Sequence, residues 1–141
     1  MTGSGVPPAN LSDPVSESEL RDMQAISFET LDFFKHGSPA NGKEIVEDLL
    51  RVYFKSFNEK LPKLRNAIAD GDLHQVRELA HSLKGSSANI GLNSLAEICR
   101  KIESDAERGA VDNYNVQLEL LEAEAQYVRK RLDQYMAQFD Q

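Results

Sequence analysis

The sequence predicts an all-α protein: an antiparallel up-down four-helix bundle with a short additional N-terminal helix. Three observations carry this. Leu, Ala, Glu, Lys and Gln are common while Trp is absent, a balance that favours helix over strand. From residue 42 onward apolar residues recur at helical spacing. The interruptions between the periodic stretches are short and marked by Gly71, Gly91 and Gly109, which makes successive helices antiparallel neighbours.

Residues 1–26 are predicted to be a flexible N-terminal segment or linker. Residues 1–15 are rich in Gly, Pro, Ser and Asn, and 16–26 have room for a turn of helix. The domain proper is expected over 27–141. Ser27 can cap a short helix through Phe28, Leu31, Phe33 and Phe34, which stops near His36-Gly37 with Pro39 beyond. A second helix begins around Gly42 and repeats Ile45, Val46, Leu49, Leu50, Tyr53, Phe57, Leu61, Leu64 and Ile68. Pro62 inside it removes one backbone donor and crowds the carbonyl of Asn58, so a kink is expected and not a break. Asp72 caps the third helix, with Leu73, Val76, Leu79, Ala80, Leu83 and Ile90, and Gly91 terminates it. The fourth starts at Asn93 or Ser94 and carries Leu95, Ile98, Cys99 and Ile102 inward. The fifth runs from about Asp112 to Gln138 through Tyr114, Leu118, Leu121, Ala125, Val128, Leu132 and Tyr135.

Composition removes several functional classes. A chain of 141 residues with 40% hydrophobic content suits one domain with a real core. The net charge is -7, and the one run of consecutive basic residues, Arg129-Lys130-Arg131, lies toward a helix C-terminus, where cations suit the dipole. No nucleic-acid surface is therefore expected. The single Cys99 rules out an intramolecular disulfide and fits a reducing compartment. No apolar run is long enough to span a bilayer and no signal-peptide pattern is present, so a cytoplasmic protein without membrane contact is expected. His36, His74 and His81 show no metal-ligand spacing with a carboxylate pair, so no metal site is expected.

The third helix holds the informative pattern. At about 100° per residue, Leu73, Val76, Leu79, Ala80, Leu83, Ser87 and Ile90 share one arc that must face the core. Arg77, Glu78, His81, Ser82, Lys84 and Gly85 fall on the opposite side. Lys84 and Gly85 flank His81 at i+3 and i+4. A glycine inside a helix costs about 0.5–1 kcal/mol against alanine; on this outer face it leaves bare space beside the imidazole. A neutral imidazole is a good nucleophile near pH 7. A phosphoryl group attached there would carry concentrated negative charge, with Lys84 as a point cation alongside, Arg77 adding positive field, and Ser82 and Ser86 as hydroxyl donors.

The segment from His81 to Gly91, His-Ser-Leu-Lys-Gly-Ser-Ser-Ala-Asn-Ile-Gly, resembles the signature H-x-L-K-G-[SA]-[SA]-x-x-[IL]-G of histidine phosphotransfer (HPt) domains. The resemblance extends more loosely from Ser27 to Phe139. It implies a phosphorelay carrier in two-component signalling. His81 would be phosphorylated on its outward Nε2, assisted by Lys84, with Gly85 keeping the approach clear. It implies that Glu103 on the facing helix lies near the histidine, in a role the sequence leaves open. It implies partners among response-regulator receiver domains and a hybrid histidine kinase, docked through an apolar patch for which Phe28, Leu31, Phe34 and Ile45 are candidates. The chain would act as a monomer without independent kinase activity and bind no cofactor, the receiver supplying the aspartate and Mg²⁺. Two rivals stand beside this reading. The dimerisation helix pair of a sensor kinase typically has an acidic residue after its histidine and a proline soon after, and this sequence has neither. A non-catalytic helical adaptor, binding receivers or other helical partners with His81 incidental, is the alternative that labelling would separate.

Overall fold

A computed structural model describes residues 21, 24–37, 40–110 and 113–138. The chain forms α1 (Phe28–His36), α2 (Gly42–Asp70), α3 (Leu73–Asn89), α4 (Asn93–Glu107) and α5 (Tyr114–Ala137). No strand occurs among the described residues. α2 packs on α3, α3 on α4, α4 on α5 and α5 back on α2, so these four close a bundle, while α1 lies against α2.

The helix starts follow the sequence chemistry. The Ser27 side chain accepts from the Thr30 amide and that of Asp72 from the Gln75 amide, satisfying donors that the first helical turn leaves open. α2 continues through Pro62. The expected fifth-helix start at Asp112, and the positions Pro39 and Phe139, lie outside the described residues.

The core runs the length of the bundle through Val46, Leu64, Val76, Leu83, Leu95, Ile102, Leu121 and Val128, all fully buried. Each such side chain contributes about 1.5–3 kcal/mol relative to exposure. Polar links join the helices. Ser87 is buried and its Oγ donates to the Leu83 carbonyl at 2.7 Å. The Tyr53 hydroxyl, 2.6 Å away, is then the donor to Ser87, pinning α2 to α3. Asp105 at the end of α4 is buried and accepts from Gln117 Nε2 of α5 at 2.7 Å, with Arg108 also paired to it. The Tyr135 hydroxyl donates to Asp32 at 2.6 Å, and its ring lies 5.1 Å from that of Phe28, fastening α1 to α5.

Two expectations need correction. The packed domain reaches beyond the boundary at residue 27: Gln24 and Ala25 are helical, Ala25 and Ile26 are buried in the core, and the Arg21 guanidinium stands 3.8 Å above the Tyr127 ring. Leu31, a docking candidate, is fully buried, because α1 turns that side onto the bundle. Phe33 is the α1 side chain left 75% exposed, while Phe28 and Phe34 pack at the edge of the core. Ile45 and Leu49 are only half-buried, because α2 turns them toward a groove beside α3.

Gly91 joins α1 to the turn between α3 and α4. Its φ is +80°, its carbonyl accepts from the Ser27 amide at 2.7 Å, and a Cβ would stand 2.9 Å from the Ser27 carbonyl oxygen. Backbone and space both exclude a side chain there. At Gly85 a Cβ would meet nothing within 4 Å. Gly91→Ala should therefore destabilise the protein by about 1–3 kcal/mol, whereas Gly85→Ala should stabilise it by about 0.5–1 kcal/mol. Urea unfolding of the two variants checks the contrast; equal stabilities would refute it.

Candidate functional site

The site stands on the outer face of α3. Burial of Val76, Leu79, Ala80, Leu83 and Ser87 on one side turns His81, Lys84 and Gly85 to the other. The His81 side chain is 64% exposed. Its Nδ1 lies 2.8 Å from Glu103 Oε2, and Lys84 Nζ lies 2.7 Å from the second oxygen, Oε1. Glu103 itself is buried, projecting from α4 into the seam with α3. Residues from three positions of two helices thus meet at one carboxylate.

The chemistry of the triad follows from that carboxylate. The hydrogen bond from Lys84 holds the Glu103 carboxyl below the usual range; burial opposes this, and the contact with His81 adds to it. Glu103 is therefore ionised near neutral pH and only accepts. Nδ1 must then carry the ring proton in the neutral imidazole, which leaves the Nε2 lone pair outward. The question the sequence leaves open at Glu103 has a geometric answer: it orients the ring and anchors the lysine.

Around the triad the expected residues divide. Gly85 borders open space. Ser82 Oγ accepts from Lys60 Nζ of α2 at 2.6 Å, a partner the sequence reading missed. Ser86 Oγ donates back to the Leu83 carbonyl at 3.2 Å. Arg77 pairs with neighbouring Glu78 at 2.8 Å, which offsets the positive field expected of it. Of the docking candidates, Ile45 shares a cavity with the α3 face. That groove, about 570 Å³, is lined by Ile45, Asp48, Leu49, Val52, Tyr53 and Ser56 of α2 and by Ser86, Asn89 and Ile90 at the end of α3. Phe28 instead lines a depression with Asp32 and Tyr135 of the α1–α5 side. A readable signal existed for the missed residues: Ile45, Leu49, Val52, Ser56 and Lys60 form one helical stripe beside the core stripe of α2.

The one thiol is withdrawn, while the imidazoles of His36 and His74 are exposed. The Cys99 thiol is fully buried, and desolvation pushes its pKa up to about 12. Among the described residues no cluster of His, Cys, Asp and Glu could hold a metal ion. No helix among them is long and apolar enough to cross a membrane.

An exposed imidazole, an ammonium and a side-chain-free gap thus stand together on one helix of an antiparallel bundle. The Hpt domain family model matches residues 48–140, and the chain belongs to that family. Multistep phosphorelay regulator 1 of Schizosaccharomyces pombe is 29% identical over 109 residues, covering 74% of this chain and 37% of the relative. Phosphorelay intermediate protein rdeA of Dictyostelium discoideum is 30% identical over 98 residues, covering 70% of this chain and 39% of the relative. This chain therefore spans well under half the length of either curated relative. The crystal structure of histidine-containing phosphotransfer protein B (HptB) from Pseudomonas aeruginosa PAO1 matches with a TM-score of 0.71 at 27% identity, covering 81% of this chain and 96% of that one.

The Glu103 interactions set a pH dependence. Its folded pKa lies below the ordinary value of 4.5, so its stabilisation is present above that value and lost as pH falls through the folded pKa. Lys84→Ala removes the largest cause, so the carboxyl should titrate closer to its ordinary value in that variant. Carboxyl-detected NMR titration measures this directly. An unmoved Glu103 titration would show that the lysine does not hold the carboxylate.

Proposed function

We propose that this chain is a phosphorelay carrier of two-component signalling. It accepts a phosphoryl group on His81 from the aspartyl phosphate of a receiver domain and passes it to another receiver. One observation carries the reading: a largely exposed His81 whose Nδ1 is engaged by a buried, ionised Glu103. In the transfer step the Nε2 lone pair forms an N–P bond as the P–O bond to the receiver aspartate breaks. The bonding pair leaves on the carboxylate oxygen. Positive charge develops on the ring, and Glu103, accepting from Nδ1–H, stabilises it. Lys84 lies close enough to follow the phosphoryl oxygens, and Gly85 leaves the approach open. The reverse step discharges the histidine to a second receiver.

The chain brings the nucleophile and its orientation. The receiver brings the aspartate and Mg²⁺, so the domain binds no cofactor and has no kinase activity of its own. It works in the cytoplasm as a monomer, with a hybrid histidine kinase upstream. The receiver docks along the groove between α2 and α3, whose wall on α3 begins at Ser86, the residue after Gly85, and whose apolar lining comes from Ile45, Leu49 and Val52.

Two outcomes are expected. His81→Gln abolishes incorporation of acid-labile, base-stable phosphate from a phosphorylated receiver while the thermal midpoint stays near that of the wild type, since the side chain is exposed. A labelled variant would remove His81 from the role, and receiver binding without labelling of the wild type would favour an adaptor. Val52→Glu alters a side chain 61% exposed in the groove. It should weaken receiver binding by about tenfold with little change in stability; calorimetric titration giving the wild-type affinity would place docking elsewhere.

A further inference from the structure

We infer that Lys60 is a second cation of the transfer site, reaching the phosphoryl group from the flank opposite Lys84; the inference rests on the role of His81 proposed above. Lys84 belongs to the α4 side, tied to Glu103, and Lys60 projects from α2 on the other side. Between them lies the clearing over Gly85. His81 precedes that glycine by four residues and Ser82 by three, so both border the same open space. Lys60 Nζ donates to Ser82 Oγ at 2.6 Å, which puts an ammonium on the rim of the clearing.

The charge state of the neighbours distinguishes this lysine. Lys84 is paired with Glu103 and Arg77 with Glu78. Among the described residues Lys60 forms no ion pair, and its partner is a neutral hydroxyl. A hydrogen bond between an ammonium and a phosphoryl oxygen is much stronger than one between an ammonium and a serine. Lys60 therefore has an incentive to leave Ser82 when the phosphoryl group arrives, whereas Lys84 must share itself with a carboxylate. In the step written above, Lys60 keeps its protons. It donates to an oxygen of the group in flight, forms no bond to phosphorus, and returns to Ser82 when the group leaves. Its position also fits the groove: Ser56 lines it one turn before Lys60, and Ser86 one turn after Ser82, so the Lys60–Ser82 contact closes the end nearest the histidine.

The test is single-turnover transfer from a Mg²⁺-loaded, phosphorylated receiver to the full chain, over a range of receiver concentrations. It compares wild type, His81→Gln, Lys60→Ala, Lys60→Gln and Lys60→Arg. Lys60 is half-buried at the surface, and circular dichroism with thermal unfolding confirms that each variant folds. The maximal rate should fall about tenfold in the Ala and Gln variants, less than for a fully desolvated donor because solvent screens the charge. Lys60→Arg should recover it to within about threefold, since charge is retained in a different geometry. Full maximal rate in Lys60→Ala overturns the inference. So does a loss confined to the half-saturating concentration, which makes Lys60 a docking charge, or an Arg variant no better than Gln, which makes the Ser82 hydrogen bond the relevant feature. A wild type that takes no label overturns the His81 reading itself, and is told apart from these because it fails before any Lys60 variant is compared.

Discussion

The geometry of the site depends on the rotational register of α3. A helix advances about 100° per residue, so burial of Leu79, Ala80, Leu83 and Ser87 fixes where every other side chain points. His81 cannot turn inward without exposing that apolar arc. The register is held from three directions. Tyr53 of α2 donates to Ser87 beneath the site, Glu103 of α4 takes Nδ1 and the lysine from the side, and the turn at Gly91 receives the Ser27 amide of α1. Rigid presentation of the His81 ring thus rests on core packing together with the two Glu103 contacts.

On the proposed reading, Glu103 reconciles two demands that conflict. A carboxylate behind the imidazole fixes the tautomer and stabilises the cationic ring, yet a carboxylate near an incoming phosphoryl group repels it. Lys84 resolves the conflict by occupying the other oxygen. Seen from Nε2 the Glu103–Lys84 pair is close to neutral at distance, while at Nδ1 it still presents a strong acceptor. Burial of the carboxylate sharpens this, since a charge held out of water keeps its direction and is little screened by salt.

Local patterns made much of this readable in advance. Ser27 and Asp72 show as caps because a side-chain oxygen before an apolar-periodic stretch is needed by the first turn. The outward face of α3 follows from counting residues. The misses share a different origin. α1 is nine residues long and carries four large apolar side chains, more than one face can hold. Which of them points in is decided by its attachment at Gly91, so Leu31 is buried and Phe33 is not. The polar composition of residues 1–26 likewise hides that Ala25 and Ile26 complete the core. The Lys60–Ser82 contact crosses helices over 22 residues, and no local periodicity encodes such a pairing; the Glu103–His81 contact, equally far apart in the chain, is reached only through the family resemblance.

α2 shows how one helix serves both packing and recognition. Val46, Leu50, Tyr53, Phe57 and Leu64 form the stripe that enters the core. Ile45, Leu49, Val52, Ser56 and Lys60 form a second stripe beside it, and its character changes along its length from aliphatic to hydroxyl to ammonium. The gradient runs toward His81. An aliphatic surface gains from contact wherever water is expelled, but it discriminates poorly between partners. A charged end attracts an anionic centre and is penalised by an apolar one. On the proposed reading, a partner with an apolar surface and an anionic centre favours one direction along the groove, with its phosphoryl-bearing site toward Lys60; the Asp48 carboxylate at the other end, paired with Arg51, favours the same direction by repelling an anion. Orientation would then be set by the order of residues on α2, while the core packing of α3 keeps His81 turned outward beside it.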